Sequence, residues 1–100
     1  MKEGKEHIPN ELRDFRKSAN YDQRDVAFLL DIKNVGRISE WEQGLSNPGL
    51  ENLIKLEIIY QRLTSDMYFE LRRKLAKEIE ERKKLLDTMK RKGQMLDMGG

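Results

Sequence analysis

The side chains that could carry chemistry are hydrogen-bonding groups spread along the chain rather than a catalytic cluster. The sequence contains no cysteine, and its single histidine, His7, lies near the N-terminus without neighbouring ligand residues. We therefore expect no metal site, no cofactor and no catalytic role for His7. Asp and Glu residues are scattered along predicted helices, and no nucleophile–base pair or phosphate-cradling glycine loop occurs. These residue types indicate a binding protein rather than an enzyme.

Length and charge indicate one small domain with an appendage. Of the 100 residues, 37% are hydrophobic and 38% are charged, and no apolar run approaches the length of a membrane span. Residues 1–6 are charged and lead into no apolar stretch, so we expect no secretory signal, no membrane partner and a cytoplasmic protein. The net charge of +2 is uneven, because residues 1–65 carry −1 and residues 66–100 carry +3. Any basic binding surface must therefore depend on where the charged residues lie.

The pattern of apolar residues predicts an all-α protein. Only two prolines occur, Pro9 and Pro48, and no segment alternates as a strand would. Periodicity and capping residues predict a flexible leader over 1–8, four short helices within 9–65, a long fifth helix over 66–92 and a disordered tail over 93–100. The short helices are expected at about 10–18, 23–30, 35–43 and 50–61. Thr64 or Ser65 is expected to cap the fifth helix.

Turns and apolar residues should fix the positions of the short helices. Asp31 is expected to turn the chain in the left-handed conformation, and Gly44 to end the third helix. Ile38 and Trp41 are three residues apart, so they should share the buried face of the third helix and leave its opposite face free. The core is also expected to include Phe28, Leu50, Leu53 and Ile54.

An ordered set of residues runs through the second, third and fourth helices. It consists of Gln23, Ala27, Ile38, Trp41, Glu42, Gly44, Pro48 and Leu50. With these residues, the region over about 10–70 resembles the helix-turn-helix of phage Cro and repressor proteins, and of the wider bacterial family of xenobiotic-response-element regulators. The resemblance implies a five-helix, lambda-repressor-like DNA-binding domain over 9–65 with a long C-terminal helix. It also implies a sequence-specific transcriptional regulator, in particular a repressor, whose partner is double-stranded DNA.

The resemblance assigns the third helix to the major groove, where the N-terminal residues of a recognition helix reach base edges. The residues expected at base edges are Val35, Gly36, Arg37, Ser39 and Glu40. Arg37 could bond guanine or a phosphate, or remain solvated. Val35 could meet a thymine methyl or pack at the helix start, and Glu40 could accept from cytosine or simply be exposed. The turn between Leu30 and Ile38 is one residue longer than the commonest family spacing, which leaves the register against the bases open by one position.

Other polar residues are expected to hold the DNA backbone and the motif itself. The phosphate contacts that the resemblance implies are Gln23, Lys33, Gln43 and Asn47. Arg16 precedes Gln23 at the family's distance for pairing with Glu42. We therefore expect a partly buried salt bridge between Arg16 and Glu42 that ties the first helix to the third.

The long fifth helix carries apolar residues at spacings of three and four, which is typical of an amphipathic helix with a partner for its apolar side. The residues expected to mediate dimerisation are Leu75, Ile79, Leu86 and Met89. Arg82 interrupts their stripe, which disfavours a long uninterrupted coiled coil. A homodimer would place two recognition helices about 34 Å apart, as a two-fold DNA site requires.

A protein-interaction module is the alternative function that the sequence leaves open, with the same scaffold serving as an antitoxin or an assembly factor. The net charge of −1 over residues 1–65, with Gly36 and Glu40 on the third helix, favours this alternative. The ordered match at Gln23, Arg37 and Asn47 favours DNA. No site for a small-molecule effector is evident in the sequence.

Overall fold

The computed structural model describes residues 7–93, which form six α-helices and no strand, so the all-α prediction is confirmed. The helices are α1 Leu12–Ser18, α2 Gln23–Leu30, α3 Gly36–Gln43, α4 Leu50–Tyr60, α5 Thr64–Met67 and α6 Phe69–Arg91. Among them, none combines the length and the apolar character needed to cross a membrane. Residues 1–6 of the expected leader and 94–100 of the expected tail lie outside the described residues.

Side chains fix where the first two helices begin and end. The Asn10 side-chain oxygen Oδ1 accepts from the Leu12 N–H at 3.0 Å, and α1 starts at Leu12 rather than at residue 10. At α2, Asp22 accepts from the Asp25 N–H at 2.8 Å, and Asp25 accepts from the Asp22 N–H at 2.9 Å. This capping box satisfies two backbone amides that would otherwise lack a partner. Asp31 then turns the chain in the left-handed region at φ 60°, as predicted.

The core lies between the five short helices. Its buried apolar residues are Leu12, Val26, Ala27, Leu30, Ile38, Trp41, Leu56, Tyr60, Met67 and Tyr68. The helix α2 packs on both α3 and α4, and the small side chain of Ala27 lies fully inside this junction. Each fully buried large aliphatic side chain contributes about 1.5–3 kcal/mol relative to exposure. Burial is therefore concentrated where α2 meets its neighbours.

Three residues that we expected in the core face solvent instead. They are Phe28, which is 83% exposed, Leu50, which is 76% exposed, and Ile54, which is 50% exposed. Leu56 and Tyr60 set the inner face of α4, so Leu50, Ile54 and Ile58 fall together on its outer side at a spacing of four. We call these three residues the outer stripe of α4. Leu53 packs against the core as expected.

The segment before α1 contacts the C-terminal end of α3, so the expectation of a flexible leader up to residue 8 is wrong for Ile8. The Ile8 N–H donates to the Gly44 carbonyl at 2.9 Å, and its side chain packs against the core. The Asn10 side-chain amide donates to the Trp41 carbonyl at 3.1 Å. The carbonyl groups at the end of a helix lack α-helical partners. The Ile8 bond satisfies the Gly44 carbonyl, and the Asn10 bond adds to the one that the Trp41 carbonyl accepts from the Gly44 N–H.

The expected long fifth helix is two helices, because the backbone leaves the helical region at Tyr68. Its φ of −126° and ψ of 44° separate the four-residue α5 from the 23-residue α6. The Tyr68 ring is buried, and its hydroxyl has no hydrogen-bond partner within residues 7–93. At the start of α5, Glu57 accepts from the Thr64 hydroxyl at 2.7 Å and from the Thr64 N–H at 2.8 Å. These bonds lower the pKa of Glu57, and they cap α5 from α4.

The last helix projects from the domain. None of the α6 residues is buried, and Leu71 is the α6 residue that packs against the core. With 23 residues at about 1.5 Å each, α6 is about 34 Å long. The Cα radius of gyration is 18.5 Å, whereas a compact chain of this length has about 13 Å. The shape is therefore a small globular head with a helical arm.

Gly44→Ala is expected to destabilise the protein by about 2 kcal/mol or more, since a left-handed backbone penalises an L side chain. Gly44 has φ 78°, and an added Cβ would clash with the Ile8 carbonyl oxygen and lie 2.6 Å from its nitrogen. Thermal unfolding followed by circular dichroism should show a Tm lower by about 8 °C or more. Gly49→Ala is the matched control, because nothing lies within 4 Å of its added Cβ. Equal Tm values for the two variants would contradict the Ile8–Gly44 contact.

Candidate nucleic-acid interface

Two buried side chains set the orientation of α3. Ile38 is 2% exposed and Trp41 is 3% exposed, as the sequence predicts. Successive helical residues are rotated by about 100°, so the side opposite these anchors consists of Gly36, Glu40 and Gln43. All three are exposed. We call them the outer face of α3, and it is the side of this helix that the fold leaves free for a partner.

Arg37 and Ser39 flank the outer face on opposite sides. The Arg37 guanidinium lies 5.5 Å from the centroid of the Trp41 ring, within the range of a cation–π interaction. A stacked guanidinium keeps its N–H edge available for bidentate hydrogen bonds. The Ser39 hydroxyl accepts from the Gln43 amide at 2.8 Å. These contacts hold two candidate base-contacting side chains against the helix surface.

An asparagine and a glycine shape the start of α3. The Asn34 side-chain oxygen accepts from the Gly36 N–H at 2.9 Å, and the helix begins at Gly36 instead of residue 35. A Cβ on Gly36 would lie 3.0 Å from that oxygen, so glycine leaves room for this cap. Val35 is half-buried and packs against the core, which favours its packing role over a contact with a thymine methyl.

An ion pair ties α1 to α3 at the place where the sequence predicts one. Arg16 donates to Glu42 through Nε at 2.6 Å and through Nη2 at 3.1 Å, and the two side chains are 9% and 5% exposed. The Arg16 Nη1 donates to the Tyr21 carbonyl at 3.0 Å. The hydrogen bond to Glu42 raises the pKa of Arg16 above its ordinary value, although burial opposes this change. The pair is bidentate and desolvated, so it fixes geometry as well as charge.

Gln23 belongs to the same network. Its Nε2 donates to Glu42 Oε1 at 3.0 Å, so both oxygens of this carboxylate are engaged. A primary amide has two N–H groups, so one remains for a phosphate. Asp22 and Asp25 lie beside Gln23, and their charges oppose the attraction of an anion by the start of α2. An anion must therefore approach on the Gln23 side of this helix end.

One shallow concavity of about 300 Å³ brings together three of the expected DNA-contacting residues and both members of the expected ion pair. Its lining residues are Gln23, Ser39, Gln43, Arg13, Arg16 and Glu42. Lys33 and Asn47 are exposed and do not line it. Arg13 is the residue that sequence reasoning missed, although its position three before Arg16 was a usable signal, since such residues share a helix face. No group of ligand residues suited to a metal ion occurs within residues 7–93.

The expected dimerisation residues lie along the free length of α6. Leu75, Ile79, Leu86 and Met89 are all exposed. Tyr68, Leu71, Leu75 and Ile79 also line a groove of about 530 Å³ that opens where α5 meets α6. Within the described part of the chain, the apolar side of α6 has no partner beyond this first stretch.

Two short helices, α2 and α3, joined by a turn and held so that the second exposes one face, define a helix-turn-helix protein. A family model described as Helix-turn-helix matches residues 12–66, just over half of the chain. The chain therefore belongs to the Cro/C1-type helix-turn-helix family, whose members are DNA-binding and typically non-enzymatic. Comparison with the curated proteins and with the solved structures gives no match.

Arg16→Ala is expected to destabilise the protein by about 3 kcal/mol, because it leaves the Glu42 carboxylate buried without its charged partner. Thermal unfolding should show a Tm lower by about 12 °C or more. The double variant Arg16→Met/Glu42→Leu should regain most of this loss, since neither charge then remains unpaired. Lys17→Ala, an exposed residue of the same helix, is the control for helix α1. A Tm of Arg16→Ala equal to that of Lys17→Ala would show that the ion pair does not stabilise the fold.

Proposed function

We propose that this protein is a sequence-specific transcriptional repressor that binds its operator as a homodimer and inserts α3 into the major groove. The observation that carries the proposal is the outer face of α3, which Ile38 and Trp41 hold away from the core and which is exposed. A major groove about 12 Å wide accommodates one helix and displays a distinct hydrogen-bond pattern for each base pair. Repression requires only that the bound protein occupies its site, so the DNA-binding head and a dimer contact are sufficient.

Base recognition in this proposal depends on the polar side chains around the outer face of α3. Arg37 supplies two parallel N–H groups for guanine O6 and N7, and its stacking on Trp41 restricts its conformations before DNA binds. Glu40 is exposed at the centre of this face, where it can accept from cytosine N4. Gly36 lets the helix backbone approach the groove closely. Ser39 and Gln43, bonded to each other, line the concavity beside this face.

Backbone contacts in this proposal come from Gln23, Lys33, Gln43 and Asn47. Gln23 and Gln43 line the concavity between α1, α2 and α3, so both can reach one stretch of phosphate backbone. Lys33 and Asn47 are exposed in the segments that precede and follow α3, so they can contact backbone beyond the two ends of the helix. Contacts of this kind set the register of the protein on the duplex and carry no sequence information.

Dimerisation through α6 explains its uncovered apolar side. Leu75, Ile79, Leu86 and Met89 fall at spacings of four and three around Arg82, the repeat of a coiled-coil seam. In a parallel pair, Glu78 of one protomer would lie beside Lys83 of the other, five residues further along, as flanking charges of opposite sign do in coiled coils. Arg82 limits the seam to a short one. Such a pair would present two copies of α3 to a two-fold site.

A duplex selected from a random pool should bind with an affinity that falls linearly with salt on logarithmic axes, with a slope of about −0.9 per phosphate contact. Arg37→Ala should weaken binding to that duplex by about 1–3 kcal/mol and relax the base preference at one position. Gln23→Ala should instead weaken selected and random duplexes alike. Fluorescence anisotropy across a salt series measures both effects. No selected motif and an affinity independent of salt would contradict the repressor proposal.

The double variant Ile79→Lys/Leu86→Lys should be a monomer at concentrations where the unmodified chain is a dimer, because it puts charges at the proposed seam. Multi-angle light scattering measures this directly. Lys77→Gln/Lys84→Gln changes two exposed α6 residues off the stripe and should leave the dimer intact. The proposal of an α6 dimer is wrong if the full chain is monomeric. It is also wrong if Ile79→Lys/Leu86→Lys has the same dimer mass as the unmodified chain.

A protein-interaction module remains the second candidate function, and the outer stripe of α4 favours it. Leu50 and Ile58 are 76% and 70% exposed, and Phe28 on α2 is 83% exposed. Apolar exposure of this kind is typical of surfaces that bind another protein. In this case the outer face of α3, with Glu40 at its centre, would not contact DNA. The salt series above separates the two functions.

A further inference from the structure

Arg13 is a cation without a carboxylate partner in the described part of the chain. It is exposed on α1 and lines the concavity between α1, α2 and α3. The ion pairs within residues 7–93 are Arg16–Glu42 and Arg91–Asp87, and neither involves Arg13. Its neighbour in the concavity, Arg16, is already neutralised by Glu42. The positive charge at this site that no carboxylate of the described residues balances is therefore that of Arg13.

Glu42 is the carboxylate that lines the concavity. Its existing bonds disfavour an ion pair with Arg13 and weaken its repulsion of an anion. Glu42 accepts from Arg16 at both oxygens and from Gln23 at Oε1. Its charge is balanced by a guanidinium at 2.6 Å. A carboxylate that already accepts three hydrogen bonds and is paired with a guanidinium has little acceptor capacity left for a further group.

Hydrogen-bond donors surround the same concavity. Gln23 uses one amide N–H on Glu42 and keeps the other. The Ser39 hydroxyl accepts from Gln43, so its own O–H is free to donate. With Arg13, the rim thus offers an amide N–H, a hydroxyl and a guanidinium on three different helices. This combination suits a singly charged oxyanion, such as a phosphodiester.

The location fits a DNA phosphate rather than a base. The concavity lies on the Ser39 flank of α3, beside the outer face that would enter the groove, and phosphates line both sides of a groove. The carboxylates of Asp22 and Asp25 lie at the adjacent helix end and oppose an anion there. A cation on α1 offsets that opposition.

We propose that Arg13 binds a DNA phosphate and completes, with Gln23 and Ser39, a phosphate cradle formed by α1, α2 and α3. This inference rests on the proposed function, because it names a further contact of the same DNA-binding surface. It assigns to α1 a direct part in holding the duplex, and it places Ser39 at a phosphate instead of at a base edge. The contact is with the sugar–phosphate backbone, so it contributes equally to every sequence.

Salt titrations of Arg13→Gln, Arg13→Lys, Lys17→Gln and the unmodified chain test the cradle, each with the selected and a random duplex. Arg13→Gln should make the salt slope shallower by about 0.9, so that its affinity deficit shrinks about 3.5-fold between about 50 and about 200 mM salt. The deficit should be the same for both duplexes. Arg13→Lys keeps the charge and should keep the slope. Lys17→Gln removes the same charge one turn along α1, outside the concavity, and should leave the slope unchanged.

The outcomes separate this inference from the function on which it rests. If the unmodified chain binds no duplex, the proposed function fails and the cradle fails with it. Suppose instead that the unmodified chain binds DNA. If Arg13→Gln then has the same salt slope as the unmodified chain, or if Lys17→Gln makes the slope as shallow as Arg13→Gln does, the DNA-binding function stands and the Arg13 contact is wrong. Circular dichroism of each variant shows whether it has the helix content of the unmodified chain. If Arg13→Gln does not fold, the slope of Arg13→Lys decides, and a slope shallower by the full amount would overturn the proposal.

Discussion

One buried carboxylate organises the DNA-binding head. Glu42 on α3 accepts hydrogen bonds from Arg16 on α1 and from Gln23 on α2, so three helices meet at two oxygen atoms. Apolar burial of Ile38 and Trp41 presses α3 onto the core, but burial alone is not directional. The bidentate pair with Arg16 supplies the direction, because a planar guanidinium accepts a carboxylate in few orientations. The exposure of the outer face of α3 follows from these two kinds of contact acting together.

The net charge of the head does not describe how charge is distributed over its surface. Four carboxylates have structural roles: Glu42 pairs with Arg16 in a buried position, Asp22 and Asp25 cap α2 at the surface, and Glu57 caps α5. Arg16 neutralises the charge of Glu42, so this charge contributes little at the surface, whereas the charges of Asp22 and Asp25 remain exposed to solvent. The arm adds basic charge, since α6 contains nine Lys and Arg residues against five Asp and Glu. A nearly neutral head is therefore compatible with local sites that attract an anion.

Local spacing predicted the features that depend on neighbouring residues. Ile38 with Trp41, the left-handed Asp31 and the stop at Gly44 each follow from a helical repeat or a backbone preference, and all are present. The pairing of Arg16 with Glu42 came from the family resemblance. What the sequence could not give depends on long-range packing. Apolar character alone overestimated burial in α4, because a helix with apolar residues all round must still turn one side to solvent. The break at Tyr68 has no proline or glycine to mark it, and the Ile8 contact joins segments far apart in the chain.

The distal turns of the helical arm depend on a partner for their stability. Its side chains contribute almost nothing to the core, so tertiary packing does not hold its distal turns in place. An isolated helix of this kind is only marginally stable in water. In the proposed dimer, ordering of those turns and association of two chains become a single coupled equilibrium. The fraction of chains that present two paired recognition helices then depends on the protein concentration as well as on the fold of each protomer.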